Sequence, residues 1–566
     1  MKTVGIIGLK MTEQNKLQEE NRFKKLEVLF LIALYLSMLY LWTLPFQQQK
    51  IPYGESDATI HFFLADRIYL TDKPLTQVPP INSVLGLDVE VKQGFLAYAP
   101  QFYTGLAITE VIGGDRVVPF YLYLAITCSV IFFSLYFLLR KLFGSTTAML
   151  ANFFIIFSMR ERFTYLWGQW ATAISFAFIP LILYAFYEYT NSFLEKKDKK
   201  EERPLYLYII FVLFAIQFLF HPIGFLLCFG MIMVYFILIM VKERKIPINM
   251  KHVFFALCLF FIIIFTFAPL QTRSNFRRVL YNVGLYEYEN PEMQFGNVSL
   301  KKDINYTRFS RIFKWYDFPQ EIAGSYPAFI FSYKDIYYGY WTLPFLFLGI
   351  AFLAIRRKRK DLLMLSMIIA LYLLLHTDVV GVYLESKIIR LFYAESIIFY
   401  SLIAIGITSI PSFIKMDEKS RGTIKYVLVI LAAILILSIG AKATYNQFKS
   451  AYGGIQRLNS AQFEAANWIN DNLPQDAGVM YVGTPTFLHR AWLQAVSARL
   501  GIFDQFNVIP INDPNINRTN YVLMDYSWYQ MLGDQQSIAQ LQEWEKGNVK
   551  GDLIYDQNGV KIYKVA

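Results

Sequence analysis

Charge is scarce in this chain. Only 17% of its 566 residues are Asp, Glu, Lys or Arg, against about a quarter in soluble proteins, and that shortfall excludes an ordinary water-facing surface. Cysteine is scarcer still. Cys128, Cys228 and Cys258 are the only three, and all lie inside apolar runs, so they read as small hydrophobes and not as a disulfide or metal framework. Phosphate-cradling loops are missing too. There is no P-loop, no Rossmann fingerprint and no G-x-S-x-G elbow, and the pairs Gly113-Gly114 and Gly453-Gly454 read as turns. The energy for any reaction must then come from an activated substrate.

What the chain has in surplus is hydrophobic residues, 55% of the total. They gather in windows such as 253–270 and 427–439, which approach the ~20 residues that cross a bilayer. Spans are expected near 27–46, 118–139, 147–159, 170–189, 205–220, 223–241, 253–270, 338–355, 361–376, 391–414 and 424–441, about eleven in all with a range of roughly 9–13. The first run follows a polar leader and ends in no small-residue cleavage motif, so it is expected to be retained.

The net charge of +11 sits in short clusters at 24–25, 140–141, 196–200, 242–245, 356–360 and 415–425. That placement is the positive-inside pattern and implies membrane lipids as partners, not nucleic acid. With the N-terminus inside, every cluster lands in the cytoplasm, and loops 47–117 and 271–337 land outside, as does everything after 442. The sequons at Asn297, Asn305 and Asn517 then lie outside as well. The expected protein is a multi-pass α-helical protein of the plasma membrane. Its parts are a cytoplasmic segment 1–26, a transmembrane domain 27–441 and an extracytoplasmic soluble α/β domain 442–566.

In the first outer loop, 59–69 and 99–111 mix aromatic and aliphatic residues with Asp66, Arg67 and Glu110, the composition of helices lying at the headgroup boundary. In the C-terminal part, Ser460 is the expected cap of a helix stopped by Pro474. Segments 479–482 and 521–524 read as strands, 536–544 as a helix, and 553–555 with 560–563 as a hairpin around Asn558-Gly559.

The stretch from Tyr53 to Arg67 is the richest in chemistry. A four-residue step places Asp57 and His61 on one helical face, with Glu55 close by. A partly desolvated carboxylate at the membrane boundary is suited to take a proton from an attacking hydroxyl. The alternative is that Asp57 merely caps the helix that follows, with His61 at a solvated edge.

An acid just after the first span, followed by a D-x-x-x-H step, resembles the first outer loop of GT-C glycosyltransferases, membrane enzymes that take sugars from polyprenyl carriers. In the oligosaccharyltransferases of that superfamily the corresponding Asp belongs to the metal and acceptor site, and a second outer loop ends in Gly and an acidic pair. Here Gly168 is followed by Gln169 and Trp170, the acid upstream is Glu161, and no WWDYG-type motif is present. The resemblance therefore implies a metal-independent member that needs no cofactor and does not glycosylate peptides by that motif.

A glycosyl-phosphate donor calls for cations at the outer helix ends. Lys387 and Arg390 are the first candidates, with pairing to Glu385 or Glu395 as the plain alternative; Arg160 and Arg162 are the second. His221 and His376 fall at outer span ends as cavity lining or as satisfied helix ends. Tyr165, Trp167 and Trp170 are expected to be exposed and able to stack on sugar faces.

The expected function is transfer of a sugar from a polyprenyl-phosphate carrier to an extracytoplasmic glycan, lipid or protein acceptor, with inversion. Asp57 would be the base, Glu55 its understudy, and His61 would orient the base or bind sugar. Arg160, Glu161, Arg162, Trp167, His221, His376, Lys387 and Arg390 would contact substrate. The alternatives are a lipid-linked glycan flippase and a non-catalytic glycolipid-binding envelope protein. Spans nearly free of charge favour chemistry at one face over translocation.

Overall fold

The computed structural model describes residues 25–47, 50–55, 57–71, 100–194, 204–269, 272–273, 276, 336–375, 387–449, 458–474, 477–484, 487–497, 500–503 and 521–565. Among the described residues before 450, the long apolar runs are helical. Each of the eleven expected spans coincides with a helix or a pair of abutting helices. Seven are long and apolar enough to cross a membrane: Lys25–Gln47, Val118–Phe143, Trp170–Leu194, Pro222–Glu243, Met250–Phe267, Tyr393–Phe413 and Glu418–Asn446. Ser145–Ile156, Pro204–Phe220 and Tyr340–Arg356 are shorter apolar helices, and Arg359–Leu375 completes the set.

The helices at the rim carry exposed Phe254, Ile262, Ile430 and Ile434, side chains that only a lipid surround makes cheap to expose. Inside the bundle, small residues set the closest approach. A Cβ at Gly406 would lie 2.0 Å from the Phe345 carbonyl oxygen, so glycine lets Leu343–Arg356 pack directly against Lys387–Ser409.

The two ends of the bundle differ in chemistry. Pro222–Glu243 has 22 residues and is therefore about 33 Å long, which separates His221 at its start from Lys242 near its finish. At the Lys242 end, that ammonium donates to the Arg357 carbonyl at 2.6 Å and Arg359 pairs with Glu243 at 3.0 Å. Lys360 reaches the Leu142 carbonyl beside Arg140, which pairs with Glu27 at 2.7 Å. The basic clusters at 140–141, 242–245 and 356–360 thus share one end, and the described part of the first loop and the C-terminal sheet domain meet each other through Arg116 and Trp492.

The C-terminal domain is a five-stranded sheet in the order β2-β1-β3-β5-β4, with β1 Gly478–Val482, β2 Leu500–Phe503, β3 Tyr521–Asp525, β4 Gly551–Gln557 and β5 Val560–Val565. The first three are parallel, and β5 joins β3 and β4 antiparallel. The hairpin turns at Asn558 and Gly559 with φ of 50° and 80°, as the Asn-Gly pair implies. The helix Ser460–Asn472 is capped by Asn459, not by Ser460. Asn459 Oδ1 accepts from Gln462 N at 2.8 Å, and Asn459 N donates to Gln462 Oε1 at 2.9 Å, because a capping box needs the amide three residues on. The helix Phe487–Ser497 and strand β2 were not legible in the sequence.

Candidate functional site

The loop before the helix Ala58–Thr71 is built by contacts from three directions. Glu55 N donates to the Leu166 carbonyl at 3.0 Å, and Ala58 N to the Glu55 carbonyl at 3.1 Å. Gly168 has φ of +70°, and a Cβ there would sit 2.2 Å from Ala58 N. Only glycine lets the 166–169 turn lie against the start of this helix. That approach brings Gln169 Nε2 to 3.1 Å from Asp57 Oδ2.

The same carboxylate oxygen accepts from Arg390 Nη2 at 2.8 Å. Both side chains keep about a quarter of their surface in contact with solvent, 22% for Asp57 and 24% for Arg390. The pair is half-buried, and the solvent that reaches it screens the attraction in part. The other Arg390 amino group, Nη1, touches His221 Nε2.

His221 is the cap of Pro222–Glu243. Its Nδ1 accepts from Ile223 N at 3.2 Å, and Pro222 occupies the first helical position. Ser175 Oγ donates to its carbonyl at 2.9 Å. With Nδ1 used as the acceptor, a neutral ring carries its proton on Nε2. Two N–H groups, one from His221 and one from Arg390, then converge on the same space.

Behind this layer lies a buried ionic one, between the helices Met159–Leu166 and Lys387–Ser409. Arg160 Nη2 donates to Glu395 Oε2 at 3.0 Å, with the pair almost wholly buried. Ser396 Oγ donates to Glu161 Oε1 at 2.5 Å. Burial pushes the Glu161 carboxyl up to about 7, against the pull of Ser396 and Arg160. Ser158 caps the short helix by accepting from Glu161 N at 3.3 Å, and Tyr400 Oη donates onward to Ser158 Oγ at 3.1 Å.

The two expected headgroup helices are Ala58–Thr71 and Pro100–Gly113. Their charged residues are not at a solvated edge. Asp66 and Glu110 are fully buried, and Arg116 Nε donates to Asp66 Oδ1 at 2.6 Å. Burial, reinforced by the Asp66 charge, pushes Glu110 up to about 10 and leaves it a neutral acid. The reason for the burial is the C-terminal domain: Arg116 also donates to Asn467 Oδ1 at 2.6 Å and to the Val496 carbonyl at 2.9 Å. Trp492, fully buried, donates from Nε1 to the Gly54 carbonyl at 2.9 Å and lies 5.6 Å from the Phe62 ring.

The structure therefore joins Asp57, His221 and Arg390 directly and sets Arg160 and Glu161 in an adjoining layer. His61 is 1% exposed, among the rings of Phe102, Tyr103 and Trp170. Burial lowers it to about 4, so at neutral pH it is uncharged, not at a solvated edge. Tyr165 and Trp170 are fully buried, contrary to their expected exposure: Trp170 Nε1 donates to the Tyr165 carbonyl at 2.7 Å, and Tyr165 shares a hydrogen bond with Tyr53 at 2.9 Å. Trp167 is partly exposed beside Phe163. His376 and the side chain of Lys387 lie outside the described residues. Gln169 was missed as a site residue because an acid was sought there, yet its position directly after Gly168 was the available signal.

Comparison with solved structures finds similar folds at low sequence identity. The chain aligns with the oligosaccharyltransferase of Archaeoglobus fulgidus at 14% identity and a TM-score of 0.53, covering 95% of this chain and 74% of that one. ArnT from Cupriavidus metallidurans, solved bound to undecaprenyl phosphate, gives 9% identity and 0.53, covering 95% and 97%. The mycobacterial arabinofuranosyltransferase AftD gives 14% and 0.50, covering 95% and 40%. No curated protein matches in sequence. Residues 106–485 match the family of unknown function DUF6541, and the chain belongs to that family.

Proposed function

We propose that this protein is a membrane glycosyltransferase that moves a sugar from a polyprenyl-phosphate carrier to an extracytoplasmic acceptor, inverting the anomeric carbon without a metal ion. The observation that carries the reading is the contact of Arg390 with both Asp57 and His221. Two N–H donors facing one another repel, whereas a phosphate oxygen between them satisfies both. The Asp57 pair is weak enough to yield to that anion. A carrier phosphate would draw Arg390 away and leave Asp57 as a free acceptor. The solved ArnT complex with undecaprenyl phosphate and the archaeal complex with dolichol-phosphate support such a carrier on this fold.

The chemistry then balances simply. The acceptor hydroxyl gives its proton to the Asp57 carboxylate as its oxygen bonds to the anomeric carbon, while the bond from that carbon to the phosphate oxygen breaks. The carrier phosphate leaves with the electron pair, held by Arg390 and His221. Gln169 fixes the orientation of Asp57, and the neutral His61 packs behind it. Glu55, Trp167, His376 and Lys387 would line the approach. In this reading the N-terminus is cytoplasmic, and the C-terminal domain stands outside with the site.

The test is reconstitution of the full chain in proteoliposomes with polyprenyl-phosphate sugars and an acceptor pool, comparing wild type with Asp57→Asn. Transfer by wild type and its loss in the variant are expected. Equal transfer by both would remove Asp57 as base, and no transfer by either would remove the enzyme reading.

A further inference from the structure

Among the described residues, no acid pairs with the buried Arg162. It is 4% exposed, and its Nε and Nη1 make no hydrogen bond. The acids nearby in the chain and on the facing helix are engaged elsewhere: Glu161 accepts from Ser396, and Glu395 accepts from Arg160. Burial draws the Arg162 guanidinium down to about 10, and the groups that act back on it are the tyrosines 338 and 400. Both hydroxyls already give their protons away, Tyr338 to the Phe154 carbonyl and Tyr400 to Ser158 Oγ at 3.1 Å or the Ile336 carbonyl at 2.9 Å. Neither tyrosine donates to or accepts from Arg162 Nε or Nη1.

A second observation marks the same place. Tyr338 is one of only four non-glycine residues with positive φ among the described residues, at +64°, and it is 4% exposed. A bulky side chain held in the left-handed region persists only where its surroundings over-determine it, and such positions cluster at ligand sites. Here the residue in that conformation is one of the two tyrosines that act electrostatically on Arg162.

An isolated buried guanidinium is strongly disfavoured unless an anion joins it, and its permanent charge prevents relief by deprotonation. We propose that the space bounded by Arg162, Tyr338 and Tyr400 is a second anion site, separate from Arg390 and His221, that receives a phosphate or carboxylate oxyanion borne by the substrate lipid or free in solution. The assignment does not rest on the transferase reading, since a flippase or a glycolipid-binding protein would need the same occupant.

The test counts anion sites in the purified full chain in detergent, using radiolabelled inorganic phosphate and, in a parallel arm, undecaprenyl phosphate. Wild type is expected to bind phosphate at two saturable sites. Arg390→Gln and Arg162→Gln are each expected to leave one, and the double variant none, with binding at each lost site weakened about tenfold or more. Loss of affinity in Arg162→Gln for undecaprenyl phosphate assigns the site to the lipid headgroup; loss for inorganic phosphate alone assigns it to a free anion. Removal of all binding by Arg390→Gln, or unchanged stoichiometry in Arg162→Gln, overturns the proposal. A failure of Arg390 to affect binding is instead a failure of the transferase reading. Arg162→Met supplies an independent check that does not depend on affinity. With no phosphate present it is expected to melt at or above the wild-type temperature and to show a smaller rise when phosphate is added; a lower melting temperature with an undiminished rise would mean that Arg162 has a structural partner and no ligand.

Discussion

Asp57 and Arg390 stand 333 residues apart in the chain and 2.8 Å apart in space. One precedes the first short helix of the first loop, and the other lies in the first turn of the helix Lys387–Ser409. Their pairing closes the site across the bundle, and because it is partly exposed it can open for an anion.

Replacement of Arg390 by lysine keeps the charge and removes the planar fork that reaches Asp57 and His221 together. Carrier affinity is expected to fall about tenfold or more in Arg390→Lys and further in Arg390→Gln, measured as binding of undecaprenyl phosphate to the detergent-purified protein. Equal affinity in wild type and Arg390→Gln would detach this residue from the carrier.

Gly168→Ala places a methyl group against Ala58 N in a left-handed backbone. The clash is with backbone, so the turn must shift and Gln169 with it. A loss of at least about 2 kcal/mol in stability is expected, with transfer reduced more than the melting temperature alone would explain. A variant as stable and active as wild type would show that the close approach does not matter.

The pH dependence of His61 has a definite sign. Its pKa falls from 6.5 to about 4 on burial, so the unfolded chain binds more protons between those values. Stability is then fully present above pH 6.5 and declines as pH drops toward 4, by up to roughly 3 kcal/mol. Melting temperatures from pH 7.5 to 4.5 should fall more steeply in wild type than in His61→Phe. Parallel curves would place a solvated imidazole at this position.

Arg116 ties the two halves of the molecule. Its removal strands the buried Asp66 and unfastens Asn467 and the Val496 carbonyl. Arg116→Met is expected to destabilise by about 3–5 kcal/mol, as breaking one side of a buried pair does. Limited proteolysis between the helical bundle and the C-terminal domain should accelerate in step. An unchanged digestion pattern would mean that Trp492 alone holds the domain in place.

The sequence disclosed the bundle well because each span is a continuous apolar window whose signal does not depend on its neighbours. It disclosed Asp57, His221 and Arg390 individually, through helix-end chemistry and a cation outside the basic clusters, but not that they meet. Contact across 333 residues has no local trace. Burial was the least legible property. Trp170, read as exposed, is covered by Phe120, Tyr121 and His61. Asp66 and Glu110 read as boundary residues, since nothing in one strand of sequence says that the helix Phe487–Ser497 packs over the first loop. That cover also explains why Trp492, an ordinary helical residue by pattern, hydrogen-bonds three positions from Asp57. Gln169 and Ser396 were hidden for a different reason. Amides and hydroxyls carry no strong expectation alone, and their roles follow only from the carboxylates they face.

The most direct measurement is a structure of the full chain with undecaprenyl phosphate bound. The expected result is a phosphate lying between the Arg390 guanidinium and His221 Nε2, with the Asp57 carboxylate released from Arg390 and open toward the cavity. A headgroup bound elsewhere, with the contact between Asp57 and Arg390 intact, would contradict it.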